Sequence, residues 1–191
     1  MIDMDDALRV VLQHRRDAVV VACSTASRHW NVLTNNKNLD LPLTGAMSKG
    51  SSLALGIALG QPGRKVILLD GDGALVMNLG SLISVANKAP KNLVHCVVQN
   101  GMYATTGGQP VPGHDFASFA GMARECGYKA VYEFDNLEEL ATSAREVFSR
   151  EGPVFVCLKV APEAETRPIG QRTGQIRTPE AWPRVWKALR S

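Results

Sequence analysis

Hydrophobic positions fall along this chain in two kinds of run. Short, nearly unbroken apolar stretches occupy AVVVAC (18–23), KVILLD (65–70), NLVHCVVQ (92–99), KAVYEF (129–134) and PVFVCLKV (153–160). Longer segments between them repeat apolar residues every three or four positions. The short runs read as strands. They lack polar alternation, most clearly at 65–70, so both faces are buried, as in a parallel sheet covered on each side. The periodic segments read as helices. Residues 4–15 carry Leu8, Val11 and Leu12 at helical spacing behind an acidic start that complements the helix dipole. Residues 137–150 place Leu137, Leu140, Ala141, Ala144, Val147 and Phe148 on one stripe. Further helices are predicted in 28–33, in 45–61 (rich in small residues that permit close packing), over 76–88, near 115–126, and from Thr178-Pro179, a cap followed by proline. STASR (24–28), 34–42, 101–113 and 161–177 read as loops.

This alternation predicts an α/β fold of three layers, a mainly parallel sheet with helices on both faces. Ligands are expected at the carboxyl ends of its strands, in the loops after residues 23, 69 and 99. Residues 1–191 are expected to form a single domain, with 161–191 as a C-terminal loop and helix.

Composition adds exclusions. The chain has 191 residues, 45% hydrophobic and 20% charged, with a net charge of +3, an ordinary globular balance. Its basic residues are scattered, adjacent only as the pairs Arg15-Arg16 and Arg64-Lys65 and forming no dense block, so no nucleic-acid partner is predicted. Cys23, Cys96, Cys126 and Cys157 form no C-x-x-C pair, and Cys23, Cys96 and Cys157, in or beside apolar runs, read as small core hydrophobes. No apolar run approaches the ~20 residues of a membrane span, and no targeting segment is seen. A cytoplasmic setting is expected.

The chemistry concentrates at two strand ends. Asp70-Gly71-Asp72-Gly73 follows one strand and Gln99-Asn100-Gly101 the next. Either cluster alone reads as a tight turn. Together, on neighbouring strands, the Asp72 carboxylate and the Asn100 amide would reach one spot. Both are hard oxygen donors suited to Mg²⁺. Gly71 and Gly73 permit a sharp turn and close approach of an anion, and the backbone N–H groups of Gly73 and Ala74 can hold phosphate oxygens.

These residues resemble the thiamine-diphosphate-dependent enzymes, whose fingerprint is matched by Gly71-Asp72-Gly73 followed by Asn100. The resemblance implies that Asp72 and Asn100 bind Mg²⁺ through side chains and Met102 through its carbonyl, with Tyr103 among the cofactor contacts. Gly45-Ala46-Met47 falls at the family's aminopyrimidine-facing loop. There Gly45 would accept a hydrogen bond through its carbonyl and Met47 would bend the cofactor. The family often has glycine where this chain has Ser48. CSTAS (23–27) resembles the loop that touches the diphosphate, with Thr25 as the candidate. MNLGSL, KNLVHCVVQNGMY and TTGGQP narrow the likeness to the phosphonopyruvate and sulfopyruvate decarboxylase group, which often carries an acidic residue where this chain has Gln99.

That chemistry also needs a glutamate beside the aminopyrimidine ring, which the resemblance places in a separate pyrimidine-binding domain. The chain is too short to hold that domain as well. A partner subunit is therefore expected, and the chain looks like the diphosphate-binding half of a heteromeric 2-oxo acid decarboxylase acting on a small anionic 2-oxo acid. No residue of this chain is assigned as catalytic. A carboligase or oxidoreductase subunit, and a non-catalytic Mg²⁺–diphosphate module, stay open. Thr105 to Gln109 form a polar loop beside the metal end, weighed evenly between covering substrate and lying at the surface. His114 reads as a solvated loop residue and His95 as a core one. Arg167 and Arg172 are candidates for an anionic head group, with solvated charges as the default. Trp182 and Trp186 are expected to pack the last helix on the body or on a neighbour.

Overall fold

The computed structural model describes residues 1–163 and 176–190. Its framework is a six-stranded, wholly parallel sheet. In chain order the strands are β1 (Val19–Cys23), β2 (Asp40–Leu43), β3 (Val66–Gly71), β4 (Leu93–Gln99), β7 (Ala130–Phe134) and β8 (Val154–Lys159). Across the sheet they run β2-β1-β3-β4-β8-β7. A two-residue hairpin, β5 (Met102–Tyr103) with β6 (Gln109–Pro110), stands beyond the end of β4. The apolar runs thus form strands where expected, and β1 and all but the last residue of β3, β4 and β8 are buried.

Burial on both faces follows from helices on both sides. α1 (Met4–His14), α2 (Ser24–Leu33) and α7 (Leu137–Ser149) cover one face, where Leu8, Trp30, Ile67, Leu69 and Leu140 pack. α3 (Gly50–Gly60), α5 (Gly80–Lys88), α6 (Phe119–Cys126) and α8 (Thr178–Arg190) cover the other, around Leu41, Leu68, Leu82, Phe119 and Phe155. Each fully buried Leu, Ile or Phe contributes about 1.5–3 kcal/mol over leaving it in water. The helix after β1 goes to one face and the helix after β3 to the other. The chain order therefore reverses between these two adjacent strands, and a crevice opens at their carboxyl ends.

Several expectations need correcting. Segment 34–42 is not all loop: residues 37–39 make a 3-10 turn and 40–43 form edge strand β2. Its Pro42 is tolerated because an edge strand has one unpaired side. STASR is not a loop but the first half of α2, entered through Ser24 at φ +51. Of the helix expected over 76–88, residues 80–88 form α5, and only Val76 falls in the separate short α4 (Asp72–Val76). The glycine-rich segment 101–113 contains the β5–β6 hairpin and a 3-10 turn at 104–106. Residues 115–118 precede α6, whose cap is Ser118 Oγ accepting from Gly121 N. Of the two placements expected for the tryptophans of α8, packing on the body falls instead to Ala181 and Val185, which leaves packing on a neighbour. Trp182 and Trp186 stack on each other at 5.8 Å and stay 37% and 44% exposed. The start of α8 is instead pinned to the end of β2, where Thr178 Oγ1 donates to Pro42 O and accepts from Thr44 N, and Thr178 N donates to Thr44 Oγ1.

Three cysteines, Cys23, Cys96 and Cys157, are buried and free, as their apolar settings imply, and burial pushes the Cys96 thiol up to about 12. Among the described residues no helix is long and apolar enough to cross a membrane.

Candidate cofactor-binding site

The parallel register decides which polar residues meet. Gly71 lies beside Val98, so α4 opens at Asp72 just where β4 runs out into Gln99 and Asn100. One cavity at this point is lined by Ser24, Thr25 and Ala26 after β1, by Gly71 to Ala74 after β3, and by Asn100, Met102 and Tyr103 after β4. Met47 borders it from the segment before α3. Asp72 and Asn100 therefore reach a common cavity.

Asp72 is 2% exposed and joins the two strand ends: Oδ1 accepts from Gly73 N at 2.8 Å and Oδ2 from Gly101 N at 2.7 Å. Burial raises its carboxyl above the usual range, more than those backbone N–H groups lower it. Asn100 Oδ1 accepts from Met102 N at 3.1 Å, which fixes the amide and shapes the turn into β5. Each of these oxygens keeps a lone pair for a cation. Gly73 N–H is engaged by Asp72 and is not free for phosphate, contrary to expectation. The glycine serves by lacking a side chain: a Cβ there would meet the Tyr103 ring at 2.5 Å.

Gly45 is not in the cavity wall; it lies in the preceding turn at φ +71. Ser48 also sits in the left-handed region, at φ +74, which accounts physically for the preference for glycine at this position. Asn78 Nδ2 donates to Ser48 O at 3.1 Å and ties this turn to the segment between α4 and α5. Of the 105–109 loop, Thr105 lines the cavity, while Thr106 and Gln109 hydrogen-bond each other. His114 is exposed and packs over Gly101, outside the cavity wall. Gln99 does not line the cavity either; Cys157 Sγ donates to its Oε1. His95 is a core residue as expected, with Nδ1 2.9 Å from Tyr128 Oη and Nε2 3.5 Å from Asp70 Oδ2. Arg167 and Arg172 lie outside the described residues.

Sequence reasoning missed Ser24, Met4, Ala26, Val98 and Ala104 in the wall. For Ser24 a signal existed, since it opens the same polar cluster as Thr25. Its hydroxyl oxygen is buried with no hydrogen-bond partner among the described residues, an orphan at the start of α2.

Two features test whether this cavity fits a magnesium-bridged diphosphate. The donors are hard oxygens, Asp72 and Asn100, as Mg²⁺ requires. Among the described residues no Lys or Arg lines the wall, so an anion entering here gains from a bound cation that neutralises it. Ser24 Oγ and the backbone amides opening α2 offer partners for anionic oxygens. The residues fit. A parallel α/β sheet with a crevice of hard oxygen donors and helix-opening amides at its switch point defines a cofactor-binding class of α/β protein.

Comparison with known proteins narrows the class. Residues 19–158 match the thiamine pyrophosphate enzyme C-terminal TPP binding domain, and the chain belongs to that family. It is 34% identical over 154 residues to a phosphonopyruvate decarboxylase of Streptomyces viridochromogenes, covering 81% of this chain and 38% of that protein. It is 35% identical over 127 residues to a sulfopyruvate decarboxylase subunit beta of Methanothermobacter thermautotrophicus, covering 66% of this chain and 65% of that one. The chain thus spans well under half the length of its phosphonopyruvate decarboxylase relative. Among solved structures, benzoylformate decarboxylase from Polynucleobacter necessarius superposes with a TM-score of 0.70 at 20% identity, over 86% of this chain and 34% of that chain, a likeness of fold alone.

Proposed function

We propose that this chain is the diphosphate-binding half of a thiamine-diphosphate- and Mg²⁺-dependent 2-oxo acid decarboxylase, a carbon–carbon lyase that works with a pyrimidine-binding partner subunit. The observation that carries this reading is the meeting of Asp72 and Asn100 in one cavity, which no Lys or Arg lines among the described residues. In it, Asp72, Asn100 and the Met102 carbonyl hold Mg²⁺. Thr25, Gly71 and Ala74, joined by Ser24, receive the diphosphate, while Gly73 leaves room for Tyr103, which borders it. Gly45 and Met47 face the aminopyrimidine. The bound cofactor supplies the electron sink for loss of CO₂, while this chain positions it and sets its charge environment.

The partner has a place to sit. Met47, Met77, Leu79 and Ile83 are 37%, 58%, 36% and 62% exposed. The Asn78–Ser48 bond brings the first three together, and Ile83 follows Leu79 by one helical turn. This apolar strip runs on from the cavity wall at Met47, as expected of a face completed by a second domain. The names of the relatives favour a substrate with a phosphonate or sulfonate head.

The test combines this chain with a pyrimidine-binding subunit, thiamine diphosphate and Mg²⁺, and follows CO₂ release from 2-oxo acids bearing sulfonate, phosphonate, carboxylate or methyl heads. Release is expected only when both chains are present, and fastest with the anionic heads. Condensation products in place of a free aldehyde would instead make the complex a carboligase. Cofactor binding with no turnover of any acid would leave a binding module.

A further inference from the structure

At the amino ends of the strands, opposite the cofactor cavity, a second cavity of about 450 Å³ opens. The segments entering β1, β3 and β4 and the end of α7 enclose it. Arg16, Arg64, Lys65, Lys91, Arg145 and Arg150 line it, with Asp17 and Glu151 as the acids. Arg15 also borders it, but its guanidinium is turned inward onto Asp40 at 2.8 Å.

The two carboxylates do not balance these cations. Asp17 is 78% exposed and reaches Arg64 only at 3.9 Å. Glu151 is held at 2.5 Å by Lys129, from outside the cavity, and lies 3.9 Å from Lys91. Arg150 pairs with Glu146 on α7. Among the described residues no carboxylate lies within ion-pair reach of Arg16 or Arg145. Lys65 is fixed in the middle: its Nζ donates to Phe148 O at 2.7 Å and Arg150 O at 3.0 Å, closing the carboxyl end of α7. Two of its three N–H groups are thus engaged and a third is left for a ligand. Burial lowers its pKa, and the neighbouring Arg16 lowers it further, a sign of positive charge facing positive charge.

We propose that this cavity binds a small, multiply charged phosphate compound at a site separate from the cofactor cavity. Its volume is in the small-ligand range of roughly 300–1,000 Å³. Guanidinium forks around a central ammonium suit phosphate groups, which they grip with paired hydrogen bonds. The charge is gathered in one concavity on a molecule of net charge only +3, which favours a compact polyanion over nucleic acid. The proposal does not depend on the decarboxylase reading.

The probe is inorganic tripolyphosphate, titrated calorimetrically into the full chain at low ionic strength without divalent metal, where the cofactor cavity lacks the cation an anion needs. One site is expected, weakened about tenfold or more by Arg16→Gln with Arg145→Gln, since each lost charged hydrogen bond costs on the order of a tenfold change. Lys91→Gln with Arg150→Gln should weaken it similarly and serves if the first pair fails to fold. Lys187→Gln with Arg190→Gln, on α8, should leave the affinity unchanged. Unaltered binding in both cavity pairs would overturn the proposal, as would an equal loss in the α8 pair, which would make the effect one of net charge. Tighter binding of a single-stranded oligonucleotide, lost with the same cavity pairs, would overturn the small-ligand assignment.

Discussion

Asp72 carries two tasks at once. Its oxygens hold backbone N–H groups from two different turns, and burial works against its charge, so a cation beside it relieves an existing cost. Asp72→Asn keeps the size but turns an amide N–H toward a backbone donor and removes the charge. Mg²⁺-dependent affinity for thiamine diphosphate, measured by calorimetry, should fall roughly a hundredfold or more, as for loss of a direct metal ligand. Affinity within a few-fold of the parent would sink the metal assignment. Glycines on α3 offer a second contrast at this scale. A Cβ on Gly50 would meet Cys23 Sγ at 2.6 Å and Leu68 Cδ1 at 3.1 Å, whereas one on Gly56 meets nothing within 4 Å. Gly50→Ala should cost about 1–3 kcal/mol by overpacking, and Gly56→Ala should gain about 0.5–1 kcal/mol by restricting the unfolded chain. Urea unfolding of both variants reads the opposite signs. Asp72 and Asn100 were legible because each closes an apolar strand with a polar turn. The orientations of the Ser24 hydroxyl and of Gly73 N–H were not, because they depend on how sharply the chain turns into α2 and α4.

Among the elements, five of the six sheet strands were legible and one was not. The five are runs of apolar, often β-branched residues long enough to cross a doubly covered sheet. β2 reads Asp40-Leu41-Pro42-Leu43, too short and too polar to show a strand pattern. What makes it a strand lies elsewhere in the chain. Asp40 is 6% exposed and accepts from Arg15, Trp30 Nε1 and Thr34 Oγ1. Arg15 in turn donates to Thr34 Oγ1 and Ala18 O. This buried ion pair joins α1, α2 and β2, and no local pattern announces it. Its cost is asymmetric: removing one partner strands the other charge. Asp40→Ala should destabilise by about 3–5 kcal/mol, while Arg15→Met combined with Asp40→Leu should lose much less than the two single changes together. Denaturant unfolding of the three variants tests this. An additive result would mean that the two charges do not act as a pair. The split of the expected 76–88 helix has a similar origin, because α4 starts at Asp72 to serve the strand end and α5 starts afresh to cover the sheet.

At the scale of the whole molecule, the sheet separates two ends of unlike character. Its carboxyl end holds a cavity that no cationic side chain lines among the described residues, bordered by an exposed apolar strip, and its amino end gathers cations. The strip is where a partner's contribution is best examined, because its side chains support little of the chain's own core. Met77 and Ile83 are 58% and 62% exposed and belong to neither set of core residues. Met77→Asp with Ile83→Asp should therefore leave the isolated chain's stability within about 0.5 kcal/mol per site. In an interface the same carboxylates would be desolvated without partners, which weakens assembly strongly. The expected outcome is an unchanged urea midpoint for the chain alone. Alongside it, the concentration of pyrimidine-binding subunit needed for half-maximal CO₂ release should rise by about tenfold or more. Sedimentation of the mixture separates a lost complex from a slow one. If the variant assembled and turned over like its parent, the strip would not be the docking face. The partner would then have to reach Met47 and the cofactor cavity from the side of the 102–110 hairpin.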